Sequence, residues 1–372
     1  MADRAAARET TGAVPLDGKV SHPPGTETVV LESFGPPRAR SNPYRMQLVG
    51  SMPASVRVLY FSWKRALTGR FDVFHVHWPE VVLQGRTRVR TAVRCTLFLL
   101  VLLRIRVQRK AVVRTLHDVA PYEPLAAIQR LSIRLLDRWT TLWIVLADAI
   151  PPLRPGPIVM APIGHYRDWF AGTVRAESRP GRLVHFGLLR RYKGIDTLVA
   201  AFRGVTDDQM TLHIVGYPQD GETAATIERA CRADGRISAV TGYLPDDQLV
   251  REVTESELVV LPFDRVTNSS SLILALSLDR PVLLPSTPIT EELAAEVGPG
   301  WVLTYRGTLD AEEISGALEE TRHGPRRRSP DLSRREWDVI GSQHAAAFVR
   351  AVAIARRRRP WRAPRTRQAQ TN

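Results

Sequence analysis

Residues 182–203 read RLVHFGLLRRYKGIDTLVAAFR, and their order sets the architecture. An apolar run ending at Gly187 passes through a basic loop into a helical pattern that opens at Lys193 and Gly194, which is the grammar of a strand, a tight turn and a covering helix. The same alternation continues downstream. TLHIVG (211–216) leads into a helix at 222–234, and ISAVTGY (237–243) into one at 246–256. ELVVLPF (257–263) leads into 270–278, PVLLP (281–285) into 290–297, and WVLTYR (301–306) into 309–321.

Upstream, TVVLES (28–33), VRVLYF (56–61), FDVFHVHW (71–78), AVVRTLHD (111–118), TLWIVLAD (141–148) and PIVMAP (157–162) are strand candidates. Helices are expected after Asn42, across 88–106 and across 124–138. Short strands alternating with helices imply parallel βαβ units covered on both faces. The expected fold class is therefore α/β, with two Rossmann-like, doubly wound parallel sheets facing a cleft. The polar, Gly- and Pro-punctuated segment 162–182 is the hinge between them.

A chain of 372 residues is long enough for two cores. Cys95 and Cys231 fit no zinc, haem or redox spacing and are expected as free thiols. The first 26 residues lack the apolar core of a secretory signal and read as a disordered leader. From Arg322 onward there are fourteen Arg against Asp331, Glu336 and Asp338, so +11 of the net +14 is local to that end. Such a tail suits anionic lipid or nucleic acid by electrostatics alone, or is a solvated end. No nucleic-acid motif accompanies it, which leaves nucleic-acid or acidic-polymer binding as a minor alternative.

The longest apolar run, CTLFLLVLL (95–103), is bracketed by arginines and is too short for the roughly 20 residues a membrane span needs. It reads as a helix burying one face on a sheet, as a basic amphipathic helix on an anionic surface, or as both. A second short stretch carries chemistry. In RVTNSSSLILAL (265–276), Asn268, Ser269, Ser270 and Ser271 open an apolar helix. One such side chain suffices as a cap. Four together suit an anion held by first-turn N–H groups and the helix dipole.

HFGLLRRYKGIDTLVAAF, LHIVGYPQD and VVLPFDRVTNSSSLILALSLDRPVLLP, in that order, resemble the nucleotide-sugar domain of GT-B glycosyltransferases of the group 1, GT4-like clan, some of which act on lipid-linked sugars in polysaccharide assembly. The resemblance spans about residues 27–355. It implies an acceptor-side domain at 27–165, a linker at 166–181, a nucleotide-sugar domain at 182–330, a helix crossing back at 331–355 and a basic tail at 356–372. It also implies donor-diphosphate contacts from Arg190, Lys193, Asn268, Ser269, Ser270 and Ser271. His117 and Asp118 resemble the histidine near the donor sugar and an acid beside it. Glu80, Asp118 and Glu123 are candidates for accepting the acceptor's proton. His75 and His77 share a strand face near them.

Two features depart from the family. The usual Glu-x7-Glu pair falls near Val266 and Leu274, and Leu188 stands where an Arg normally follows Gly187. The expected activity is transfer of a hexose, with GDP-mannose as the favoured donor, to a lipid-linked or polysaccharide acceptor without metal or cofactor. The expected place is the cytoplasm, with docking to the inner face of the cell membrane as an open option. A nucleotide- or partner-binding scaffold without turnover is the main alternative.

Overall fold

The computed structural model describes residues 27–37, 42–117, 125–147, 149–264 and 270–357. In the first half, β1 (Thr28–Glu32), α1 (Pro43–Gly50), β2 (Val56–Leu59), α2 (Trp63–Thr68), β3 (Val73–Val76), α3 (Pro79–Leu83), α4 (Arg88–Val107), β4 (Ala111–Leu116), α5 (Ala127–Trp139), β5 (Leu142–Val145) and β6 (Ile158–Met160) follow in order. The six strands form one parallel sheet in the order β2-β1-β3-β4-β5-β6. β3, β4 and β5 are buried at every position, as strands covered on both faces must be.

The second half contains β7 (Arg182–Leu189), α6 (Ile195–Arg203), β8 (Thr211–Pro218), α7 (Gly221–Ala233), β9 (Ile237–Thr241), α8 (Asp246–Glu255), β10 (Leu258–Val260), α9 (Ser270–Ser277), β11 (Val282–Pro285), α10 (Pro288–Val297), β12 (Val302–Tyr305) and α11 (Ala311–His323). Its parallel sheet runs β12-β11-β10-β7-β8-β9. Strand order reverses beside β7, so the ends of β7 and β10 flank the crevice where such sheets bind ligands.

Two short helices depart from the sequence reading. The chain after the strand candidate 71–78, for which no helix is expected before 88, turns into α3 because Pro79 at its first position is preorganised for a helix and Val82 and Leu83 bury against α4. α2 was not anticipated; Ser62 caps it by accepting from the Arg65 amide, and Ala66 is its buried contact. Cys95 and Cys231 are free thiols.

α12 (Trp337–Arg357) lies across the first sheet. Its Ala345, Ala347, Phe348, Ala351 and Ala355 pack with Val30, Val73, Val113 and Ile144, the small alanines letting the helix approach the strands closely. At its start the Trp337 indole donates to the His165 carbonyl at 2.7 Å. One apolar cluster joins Tyr44 and Leu48 of α1, Tyr166 and Phe170 of the connecting segment, Leu272 and Ile273 of α9, and Trp337 and Ile340 of α12, so the two sheets share a core.

Beside that core the Arg335 guanidinium grips both carboxylate oxygens of Glu296, at 2.7 and 2.8 Å, and donates to the Ile163 carbonyl at 3.0 Å. Both side chains are 9% exposed. Arg335→Ala strands a buried carboxylate and is expected to destabilise the fold by about 3–5 kcal/mol. Urea unfolding of the variant against the parent checks this; a loss under ~1 kcal/mol would mean the pair behaves as a solvated surface pair.

Candidate active site

β7 delivers Gly187 to the crevice with φ +119°, and the turn after it, Arg191–Lys193, ends on Gly194 with φ +67°, a left-handed conformation that favours glycine. A Cβ on Gly187 would lie 3.0 Å from Ser271 Oγ and 3.3 Å from Lys193 Nζ. The bare backbone is what lets those groups converge. Lys193 Nζ is 3.5 Å from Ser271 Oγ and 4.7 Å above the Phe263 ring.

Lys193 is 8% exposed, a severe place for an ammonium. Burial first, and then the Arg190 guanidinium, push its pKa down to about 8. Two cations at the mouth of a glycine turn beside a helix start attract an anion and would be stabilised by one. Ser270, the first residue of α9, is exposed and hydrogen-bonded to Tyr166. Arg191 turns outward to Glu222 at 3.2 Å. Asn268 and Ser269 lie outside the described residues, as does Val266; Leu274, at the other missing Glu position, packs on the shared core.

On the opposing sheet a buried polar chain runs through the strand ends. Thr115 Oγ1 lies 2.8 Å from His75 Nε2, and His75 Nδ1 lies 2.9 Å from Glu32 Oε1. Glu32 Oε2 faces His77 Nε2 at 3.3 Å as a close polar contact, and neither atom has a hydrogen-bond partner among the described residues. His77 Nδ1 is 2.9 Å from His117 Nε2. Glu32, His75 and His77 are at most 2% exposed.

His117 follows the end of β4, stacked on Trp78 at 4.0 Å and met edge-on by the Tyr44 ring at 5.3 Å. Tyr44 belongs to the shared core with Tyr166, the partner of Ser270, so Tyr44 and Tyr166 link the histidine side to the lysine side. The Glu80 carboxylate, on the first turn of α3, attracts the Arg114 guanidinium, which also pairs with Asp137. Asp118 and Glu123 lie outside the described residues.

Burial opposes the Glu32 charge, but the adjoining His75 and His77 outweigh it and hold the carboxyl at about 2. Burial lowers His77 to about 4 and His117 well below its ordinary value, so both rings are neutral near pH 7. A carboxylate accepts only, which fixes the protons. His75 donates from Nδ1 to Glu32, and the same carboxylate, 3.3 Å from His77 Nε2, favours the His77 proton on that nitrogen. Neutral His77 then accepts at Nδ1, and His117 donates from Nε2 while its Nδ1 carries the lone pair.

Ligand atoms of Glu32, His75 and His77 lie within 4.8 Å of one another, as do those of His165, Asp168 and Glu336. In the first group His75 Nδ1 joins Glu32 Oε1 at 2.9 Å; in the second, His165 joins Glu336 at 2.8 Å through Nε2 and accepts the Arg167 amide through Nδ1. Glu32 and Thr115 escaped the sequence reading. The available signal was an acid ending the apolar strand TVVLE beside an alternating His-Val-His strand.

These rings impose an acid sensitivity. His77 and His185 sit near 4 and His344 near 3, each chiefly through burial, while the unfolded chain binds protons from about 6.5. Below pH 6.5 the unfolded state therefore takes up more protons, and stability falls as pH drops toward 4 and then 3. Each ring contributes about 1.4 kcal/mol per pH unit within its window. The Glu32 contribution is present above 4.5 and is lost as pH falls through 2. His344→Leu is expected to flatten the slope of unfolding free energy between pH 6.5 and 3, read from denaturant titrations at each pH; an unchanged slope would show that His344 titrates normally.

The model of the group 1 glycosyl transferases matches residues 180–320. The chain is 42% identical over 323 residues to GDP-mannose:glycolipid 4-beta-D-mannosyltransferase of Xanthomonas campestris pv. campestris, covering 87% of this chain and 92% of that protein. Among solved structures it resembles AviGT4, a glycosyltransferase involved in avilamycin A biosynthesis, at TM-score 0.53 and 14% identity over 88% of this chain and 98% of that one. It also resembles Anabaena HepE in complex with UDP and glucose, at TM-score 0.54 and 14% identity over 89% and 97%. Two facing parallel sheets of this kind make the GT-B fold. The chain belongs to the group 1 glycosyltransferases and is an enzyme of that class.

Proposed function

We propose that this chain transfers mannose from GDP-mannose, with inversion and without a metal, to a lipid-linked glycan at a membrane surface. The likeness to the Xanthomonas glycolipid mannosyltransferase along 87% of the chain carries the reading. The leaving group is a diphosphate. Lys193, Arg190 and the start of α9 with Ser270 and Ser271 supply fixed positive charge and donors for it, joined in this reading by Asn268 and Ser269. A β-linked product from an α-linked sugar diphosphate needs one in-line displacement, with a base on the opposite face to take the hydroxyl proton. His117, at the opposing strand end, is the base; Asp118 and Glu80 remain further candidates.

The direct test incubates purified protein with labelled GDP-mannose, or UDP-glucose, and extracted lipid-linked glycans. Label from GDP-mannose in the lipid fraction, retained after EDTA treatment, is expected. Transfer from UDP-glucose instead, or loss with EDTA, would overturn the donor or the metal-free chemistry. Donor turnover absent despite tight binding would favour a scaffold. Lys193→Ala is expected to weaken donor binding by roughly 10- to 150-fold, the value of a charged hydrogen bond of about 1.5–3 kcal/mol. For the parent, donor affinity should fall as pH rises through about 8, where Lys193 loses its proton.

The surface of α4 supports the membrane location. Its inward residues Cys95, Phe98, Val101, Leu102 and Ile105 are buried, while Val89, Val93, Leu100, Leu103 and Val107 form an exposed stripe at helical spacing. Exposed Arg86, Arg88, Arg90, Arg106 and Arg109 flank it. Among the described residues, no helix is long and apolar enough to cross a membrane. An apolar stripe between basic ends suits the boundary of an anionic bilayer. Pelleting with phosphatidylglycerol vesicles but not phosphatidylcholine vesicles is expected, and Leu100→Glu with Leu103→Glu should abolish it. Equal recovery with both vesicles, or an unaffected double variant, would contradict the docking face.

A further inference from the structure

Glu32 and His77 are too deeply buried to meet either substrate, yet they stand in line behind the ring that would. Glu32 Oε2 faces His77 Nε2 at 3.3 Å, and His77 Nδ1 meets His117 Nε2 at 2.9 Å. An imidazole can accept a proton at one nitrogen only if the other already carries one. The negative charge at the end of the line favours the proton on His77 Nε2, so that His77 Nδ1 accepts from His117 Nε2 and His117 is left with its lone pair on Nδ1.

We propose that Glu32 and His77 are positioning residues for glycosyl transfer, holding His117 in the Nε2–H tautomer so that Nδ1 receives the acceptor proton. This rests on the glycosyl-transfer reading above. As the acceptor oxygen bonds to the anomeric carbon, the carbon–oxygen bond to the diphosphate breaks and its electron pair leaves on the diphosphate. The hydroxyl proton ends on His117 Nδ1. The new imidazolium keeps its Nε2–H on His77, whose own Nε2 lies 3.3 Å from the Glu32 carboxylate, so the buried negative charge offsets the positive charge formed in the reaction.

His75 and His77 of β3 and His344 of α12 act on His117 directly, and Tyr44 of α1 meets it edge-on, while Glu32 of β1 and Arg45 of α1 act on His77 and Thr115 of β4 bonds His75. Of these, Glu32 is the anion and Arg45 the fixed cation. Neutralising Glu32 therefore makes the His117 imidazolium harder to form.

The experiment measures kcat, KM for donor and acceptor, and the pH dependence of kcat/KM for the full chain and for Glu32→Gln, His77→Phe, His117→Gln and the Glu32→Gln/His117→Gln double variant. Expected for Glu32→Gln and His77→Phe is a fall in kcat of about 100-fold or more with donor KM little changed, because general base catalysis contributes 10²–10⁴-fold. The acid limb of Glu32→Gln should move to lower pH. Glu32→Gln should add nothing once His117 is Gln, since residues acting as one unit are not additive.

A parent chain that transfers no sugar would remove the glycosyl-transfer reading itself. A parent that transfers, with Glu32→Gln kcat and acid limb unchanged or its loss multiplying that of His117→Gln, would overturn the relay alone. Circular dichroism melts report folding; if Glu32→Gln fails to fold, His77→Phe and its double variant with His117→Gln decide the matter by the same criteria.

Discussion

A single carboxylate buried between two imidazoles organises the first half of this enzyme. Glu32 is inaccessible to water, and a lone carboxylate there would be forced neutral or expelled. His75 and His77 reverse that outcome and keep it ionised. The charge then dictates the protons on every ring in contact with it, because a carboxylate can only accept. Three strands, β1, β3 and β4, must be in register for this, and their pairing places Glu32 opposite His75. In the proposed relay, local strand chemistry is thereby converted into a defined tautomer at the crevice.

The lysine side of the crevice works by the opposite means. A glycine turn lets Lys193 and Ser271 come together, and burial leaves an ammonium whose nearby charged group is another cation. One side of the crevice thus holds a carboxylate set against imidazoles, the other a site short of negative charge. Tyr44, Tyr166, Trp337 and the Arg335–Glu296 pair hold the two together through a common core. In the proposed reaction, negative charge develops where Lys193 and Arg190 stand and positive charge develops on His117.

Much of the fold was legible because it rests on alternation. Apolar strands closed by Gly187 and Gly216, and helices with one apolar face, could take few arrangements other than two parallel sheets. α2 and α3 were missed because a single turn is too short for a periodic signal; Ser62 and Pro79 were its traces. Lys193 and His117 were legible by position, one at a turn and one after a strand end. Glu32 was not, because its role depends on partners 43 residues away across strands whose register the sequence does not state. The outward stripe on α4 was legible as an apolar run, but which residues face out depends on how the helix sits on the sheet.

The most direct measurement of the central constraint is the protonation of the His117 ring in the intact protein, by ¹⁵N–¹H correlation spectra of histidine-labelled chain assigned with His117→Gln and His77→Phe. Expected near pH 7 is a neutral ring with the proton on Nε2, altered when Glu32 becomes Gln. A ring protonated on Nδ1, or an imidazolium at that pH, would contradict the Glu32-directed network.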